Sequence, residues 1–302
     1  MKTDASLAAF GNLTIDDLVF SDGTTRWAVP GGGAAYTALG AAIWSNEVSI
    51  VAPLGEDYPT EVFPKQIDLT RCRRISHTLR NWGLYEDDGR RHFISRSHSR
   101  DWHSFCPDRD DVVSGEQTAA HLSAMPQERA LCLAQELRRN GTRFISLDMD
   151  DHDLLSESDR DMTHELIRSV DLFLPSQHDA QRLSGRAAPV DNLRYLREIA
   201  PDISLIAIKC GAEGLIAHAA AATTLIYISA YPTPVIDETG AGDAFCGGVL
   251  ASFANCEDPI EALICGSISA SFCVEGDGFS GLTDVTRDVA PHADYLRSTV
   301  RF

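Results

Sequence analysis

The stretch "DETGAGDAF", residues 237–245, places Gly240, Ala241 and Gly242 directly ahead of Asp243. A strand-like run ends at Ile236, and residues 241–254 have the small, apolar character of a buried helix, so the glycine turn is predicted to open that helix. The first N–H groups of a helix have no internal partners. Together with the helix dipole they attract negative charge, most effectively where glycine lets a ligand approach the backbone. Gly240, Ala241 and Gly242 are therefore candidates for an anion hole. Asp243 sits at its lip, where the helix terminus keeps a carboxylate ionised and able to take a proton from a hydroxyl attacking a bound phosphoryl group. Capping of the first helical turn is the alternative role for this aspartate.

Outward from this motif, strand and helix patterns alternate. "LAAFGNLTIDDLVF" (7–20) reads as a central strand running into a polar end at Asp16 and Asp17; "PGGGAAYTALGAAIW" (30–44) supplies a glycine turn and an alanine-rich helix; "VSIVAPLG" (48–55) is the next buried strand. The helix patterns at 127–141, 159–170 and 192–200 each lead into a strand pattern, at 143–150, 171–175 and 203–211. Such regularity predicts a mainly parallel sheet with helices on both faces. Residues 71–109 break the rhythm with a hairpin signal at Asp88-Gly89, and "TTRWAV" (24–29) offers a further strand, so a small β element is expected to project from the main sheet. Nine arginines and four of the ten histidines fall within 71–109. A solvated hairpin, a dimer contact and contact with a polar or acidic substrate all remain open for that patch.

A chain of 302 residues with 44% apolar content can bury a sizeable core. Its net charge of −18 repels phosphate backbones and anionic lipid, which argues against nucleic-acid and membrane partners and in favour of a small molecule or another protein. Eight cysteines without CxxC pairs or close Cys/His spacing fit buried thiols of a cytoplasmic protein. The N-terminus is too polar for a secretory signal. The stretch from Gly214 to Ile236 lacks Asp, Glu, Lys and Arg, but its prolines, His, Thr and Ser fit two short strands joined by an alanine run better than a spanning helix. No GxxxxGK[ST] occurs, and "GAGDAF" lacks the third glycine of a dinucleotide loop, which removes two other phosphate-binding readings.

With these residues in view, the chain resembles the ribokinase-like, or PfkB-type, carbohydrate kinases. "DETGAGDAFCGG" is similar to that family's C-terminal signature, DTxGAGDxFxxG, and "GGGAAYTALGAAIWSNEVSIVAPLGEDYP" to its N-terminal one. The resemblance implies a three-layer α/β/α sandwich forming one domain over 1–302, with a small β lid from about 16–30 and 78–105. It implies transfer of the γ-phosphate of ATP, with magnesium, to a hydroxyl of a sugar or sugar-like molecule. Asp243 then matches the catalytic base, and Gly240, Ala241 and Gly242 the anion hole. Asp16 matches the acid that holds substrate hydroxyls, and Gly32 and Gly33 the glycine turn lining that pocket. "IKCGAEGLIA" places Lys209 and Gly211 beside the nucleotide, and "CGSISASFCVEGDG" fits the helix that closes over adenine. Relatives are activated by a monovalent cation, which makes one a further candidate cofactor, and an exposed lid edge suggests a homodimer through the lid.

Two positions depart from the family pattern. Tyr36 stands where the family often has asparagine, so an aromatic ring is expected in the substrate pocket, with cyclitol and nucleoside acceptors open beside ordinary sugars. The family's NxxE motif falls on "SQHD", giving Ser176 on the nucleotide side and Asp179 as the metal candidate, through water. That change also motivates a competing expectation, a catalytically weak sugar-binding regulatory protein of the same fold.

Overall fold

The computed structural model describes residues 5–87, 91–97, 102–115, 117–149, 157–220, 222–284 and 286–302. Its centre is a nine-stranded sheet in the order Ile226–Ile228, Leu215–Ala219, Leu205–Lys209, Leu172–Phe173, Phe144–Leu147, Ala119–Leu122, Leu7–Phe10, Val48–Val51, Ile67–Asp68. From Leu205–Lys209 to Ile67–Asp68 every pairing is parallel, and the last two strands at the other edge pair antiparallel. Those two edge strands are the ones expected from the uncharged Gly214–Ile236 stretch. Among the described residues no helix is long and apolar enough to cross a membrane.

Because successive side chains of a strand point to opposite faces, the sheet feeds two cores. Leu7 and Ala9 face one, beneath the helices Gly33–Ala42, Ala241–Cys256 and Pro259–Val274. Ala8 and Phe10 face the other, beneath Gln127–Arg139, Glu157–Arg168, Gln177–Ser184 and Pro189–Ile199. The first helix set is small-residue rich for a steric reason. A Cβ on Gly247 would lie 2.0 Å from the Thr37 carbonyl oxygen, so the Gly33–Ala42 and Ala241–Cys256 helices touch backbone to backbone. That contact brings the two glycine turns, far apart in sequence, to the same end of the sheet. All eight cysteines are free; four are buried, while Cys132 and Cys256 are exposed.

A separate four-stranded sheet, in the order Thr25–Gly31, Thr14–Val19, Leu79–Tyr85, Arg91–Ser95, forms the lid. The Asp88-Gly89 turn lies outside the described residues. Trp102–Phe105 is a 3₁₀ turn. The opening segment differs from its sequence reading: it is two strands, Leu7–Phe10 in the main sheet and Thr14–Val19 in the lid. Asp16 therefore lies inside a lid strand instead of at the end of the first strand. Alternation gives the lid two faces. Asp16, bonded to Asn81, lies on one, and Asp17, paired with Arg96 beside Trp82, lies on the other.

Candidate active site

The candidate site residues gather where the parallel strands end, the usual ligand position in open α/β sheets. Asp148 follows Phe144–Leu147, Ser176 follows Leu172–Phe173, and Lys209 closes Leu205–Lys209. The Lys209 amide donates to the Pro175 carbonyl at 2.9 Å, which sets Lys209 and Ser176 side by side.

The helix Ala241–Cys256 begins at the glycine turn. Gly240 is its N-cap at φ 76°, a left-handed conformation that favours glycine. The side is closed as well, since a Cβ on Gly240 would lie 2.2 Å from the Tyr36 ring. Ala244 N–H makes the first helical bond, to the Gly240 carbonyl at 2.8 Å. Ala241 N–H turns back to the Glu238 carbonyl at 3.3 Å, whereas the Gly240 and Gly242 amides have no intramolecular acceptor among the described residues. Of the three amides expected to form an anion hole, that of Ala241 is engaged within the turn and those of Gly240 and Gly242 are open. Asp243 stands in the first turn, with Oδ1 2.9 Å from where a Cβ on Gly33 would lie.

Lys209 lies against the same turn, its Nζ 3.2 Å from the Cβ position of Gly242. It is ion-paired with Asp148, and Cys246 Sγ is 3.6 Å away. Burial pulls the ammonium pKa down, but the Asp148 carboxylate, with smaller effects from Cys246 and Asp243, outweighs it and holds the lysine charged. The cluster therefore presents a fixed positive charge beside two open amides and a carboxylate, a setting for a phosphoryl group with its attacking hydroxyl.

Asp179 and Ser176 form a reciprocal capping box on Gln177–Ser184. Ser176 Oγ accepts from the Asp179 amide at 3.1 Å, and the Ser176 amide donates to Asp179 Oδ2 at 3.0 Å. Burial, and then the charge of Asp148, push the Asp179 carboxyl up to about 6. No group of three or more His, Cys, Asp or Glu among the described residues is arranged to hold a metal. The hard oxygen donors of the Asp179 carboxylate are of a kind that suits hydrated magnesium. Gly211 follows Lys209 in an exposed turn.

On the lid side, Asp16 accepts Thr14 Oγ1 at 2.9 Å and Asn81 Nδ2 at 2.8 Å. Burial pushes its carboxyl up to about 6 against the opposing effect of those two bonds. Gly32, at φ 111°, caps the helix Gly33–Ala42, and its carbonyl accepts the Ala35 and Tyr36 amides. Tyr36 is only 3% exposed and packs edge-on to Phe279 at 4.8 Å. Its ring lies against Gly240, and its hydroxyl feels the charges of Asp237 and Asp16, so it sits between the helix turn and the lid acid. Asp148, Asn81 and Thr14 were missed in the sequence. Asp148 carried a readable signal, an acid directly after a buried strand, while Asn81 carried none.

A family profile described as pfkB family carbohydrate kinase matches residues 5–284. The chain belongs to the pfkB family of carbohydrate kinases. It is 26% identical over 255 residues to the cytidine kinase of Thermococcus kodakarensis, covering 82% of this chain and 88% of that protein. It is 28% identical over 233 residues to the ribokinase of Lactococcus lactis, covering 72% and 70%. Among solved structures, fructokinase from Vibrio cholerae with fructose, ADP and calcium bound superposes with a TM-score of 0.75 at 17% identity, covering 97% of this chain and 99% of that one. The Methanocaldococcus jannaschii nucleoside kinase gives 0.73 at 18%, covering 98% and 100%. These likenesses establish the ribokinase fold, and the pfkB assignment makes the chain a phosphotransferase with a hydroxyl acceptor.

Proposed function

We propose that Asp243 is the general base of an ATP-dependent transfer of a phosphoryl group to a hydroxyl of a sugar or nucleoside held under the lid. One observation carries this reading: Asp243, the open amides of Gly240 and Gly242, and the Lys209 ammonium converge on one point at a helix N-terminus. Asp16, with Asn81 and Thr14 fixing its carboxylate, accepts hydroxyls of the acceptor, and the glycine turn at Gly32 and Gly33 lines that pocket, Gly33 leaving room for the Asp243 carboxylate beside the reacting hydroxyl. Asp243 takes the proton of that hydroxyl. The amides and Lys209 hold charge on the transferred group, and Gly211 stands on the nucleotide side. ATP supplies the phosphate, and magnesium, arriving with it, neutralises phosphate charge, with Asp179 as its water-mediated neighbour and Ser176 on the nucleotide side.

In this reading the chain acts as one catalytic unit of a main α/β/α sandwich and its β lid, in the cytoplasm, without a nucleic-acid or membrane partner. The outer lid face supports a homodimer: Trp27 and Ile94 are exposed on it, with Trp27 edge-on to Trp82 at 5.9 Å. A monovalent cation remains a candidate activator.

The test is Asp243→Asn in a coupled ADP-release screen over hexoses, pentoses, sugar acids, inositols and nucleosides. The variant should fold and bind ATP, with kcat reduced by about 10²- to 10⁴-fold on the best acceptor. Near-normal turnover would remove Asp243 as the base.

A further inference from the structure

The lid face that carries Asp16 holds two rows of side chains that differ in character. Asn81 stands opposite Asp16 on one neighbouring strand and Ser95 on the other, and the hydrogen bond from Asn81 to Asp16 fixes their common face. That row is polar. Two residues further along the same strands, about 7 Å on, Leu18, Gly83 and Phe93 stand opposite one another on the same face. This second row is apolar and flat at its centre. A Cβ on Gly83 would lie 2.7 Å from Leu18 Cδ2 and 3.2 Å from Phe93 Cε1, so glycine lets the phenyl ring lie across the strand. Leu18 is buried, whereas Phe93 is 42% exposed. Two residues beyond Gly83, Tyr85 meets Thr239 hydroxyl to hydroxyl, so this face looks onto the turn that holds Gly240.

Charge narrows what can sit there. Arg80 precedes Asn81 in the strand and so points to the opposite face, where it is paired with Asp57. Arg96 is paired with Asp17 on that opposite face, and Arg26 is engaged by Asp277. Among the described side chains of the lid sheet, Asp16 is then the charge that meets an acceptor, and it opposes an anionic one. A lone neutral sugar held by Asp16 and Asn81 leaves the row of Gly83 and Phe93 bare. A sugar that carries a flat heterocycle covers both rows, its hydroxyls on the carboxylate and its ring against the phenyl group.

The geometry points to a nucleoside as the acceptor, with Phe93 and Gly83 forming the platform for its base and Asp16 with Asn81 holding its sugar. A further hydroxyl of that sugar is then the one Asp243 deprotonates. This inference rests on the kinase reading above and deepens it by naming the class of acceptor. Sugar acids and free hexoses become poor acceptors, the acids because they face Asp16 and the hexoses because they leave the platform empty.

The test measures kcat/KM for ribose, glucose, gluconate, cytidine, uridine, adenosine and guanosine in wild type, Phe93→Ala and Phe93→Tyr. In wild type at least one nucleoside should exceed ribose by about 10- to 100-fold, the range that stacking of one base on an aromatic side chain supplies. In Phe93→Ala that ratio should collapse to within about threefold, mainly through a higher KM for the nucleoside. Phe93→Tyr keeps the ring and should restore the ratio. Equal losses with ribose and nucleoside would make Phe93 a cover for Gly83 within the sheet and overturn the proposal. A wild type that prefers ribose, glucose or gluconate to every nucleoside would overturn it as well. A wild type that consumes ATP with no acceptor would instead remove the kinase reading, and calorimetric binding of the same nucleosides then decides the platform by itself. Affinity that Phe93→Ala weakens by about tenfold or more supports the platform, and absence of nucleoside binding overturns it.

Discussion

The carboxylate of Asp243 occupies the space that Gly33 leaves open. A Cβ on Gly33 would lie 2.9 Å from Asp243 Oδ1 and 2.9 Å from the Cβ of Ser123, so one methyl group meets the acid on one side and a strand-end residue on the other. The glycine turn of the first helix is in this sense part of the base's site. Packing of Gly33–Ala42 on Ala241–Cys256 keeps the two in register.

Gly33→Ala tests that relationship. Gly33 opens a helix and has no left-handed φ, so alanine is acceptable to the backbone, but its methyl also presses on the Cβ of buried Ser123, and stability should fall by about 1–3 kcal/mol with the fold kept. The Asp243 side chain, being movable, gives way. A displacement of a few tenths of an ångström or more should lower kcat by about 10- to 100-fold while ATP affinity changes little. Unchanged kcat would show that the carboxylate works from another position.

Asp16 makes a prediction with opposite signs for stability and function. Burial raises its folded-state carboxyl from 3.8 to about 6. A raised pKa contributes stability that is fully present below the unfolded value and lost as pH rises through the folded one, so at pH 8 the ionised group weighs against folding. Asp16→Asn should therefore stabilise the free protein by roughly 1–3 kcal/mol at pH 8 and by little near pH 3.5, read from urea unfolding at the two pH values. The same substitution should cost about 10- to 100-fold in kcat/KM for the acceptor, the value of a hydrogen bond to a charged group. In wild type, kcat/KM for the acceptor should fall as pH drops below about 6, and this limb should flatten in Asp16→Asn. A variant that is less stable at pH 8, or as active as wild type, would contradict the assignment.

Much of this arrangement was legible because backbone chemistry wrote it locally. Gly240 ahead of a small-residue run announced a helix start, and the helix–strand alternation announced the parallel sheet. What stayed hidden depends on pairing across the chain. Asp16 was placed at a strand end because nothing in "GNLTIDD" shows that the chain leaves the main sheet after Phe10 and enters the lid. That the Tyr36 ring lies against Gly240 shows only in the packing of the two helices. The turn-back of the Ala241 amide to the Glu238 carbonyl has no mark in the sequence. Asn81 meets its partner Asp16 across 65 residues of sequence.

Lys209 and Asp148 form a buried ion pair, with side chains 14% and 12% exposed. Removing one partner leaves the other charge uncompensated, at a cost of about 3–5 kcal/mol. Lys209→Met alone and Asp148→Leu alone should each lower stability by about that amount. The double substitution should be markedly less destabilised than the sum, because neither charge then remains buried. Urea unfolding of the four proteins measures the coupling, and additive losses would mean that the pair is solvated. Turnover should be lost in all three variants, since the positive charge at Gly242 is either absent or unheld.

Ser176 and Asp179 separate a structural from a metal-linked role. Both take part in the capping box, so Ser176→Ala should cost about 1 kcal/mol of stability, and Asp179→Ala less than that at pH 8, where the raised carboxyl is ionised and weighs against folding. They should differ in magnesium dependence. The Asp179 carboxylate supplies charge that a hydrated cation feels, whereas the serine supplies only the cap. Asp179→Ala should raise the magnesium concentration for half-maximal ADP release several-fold, and Ser176→Ala should leave it near wild type. Below pH 6 the distinction should shrink, because the Asp179 carboxyl, raised to about 6, is then largely protonated in the wild-type protein as well. Equal magnesium curves for the two variants at pH 8 would confine Asp179 to the cap and place the metal entirely on the nucleotide.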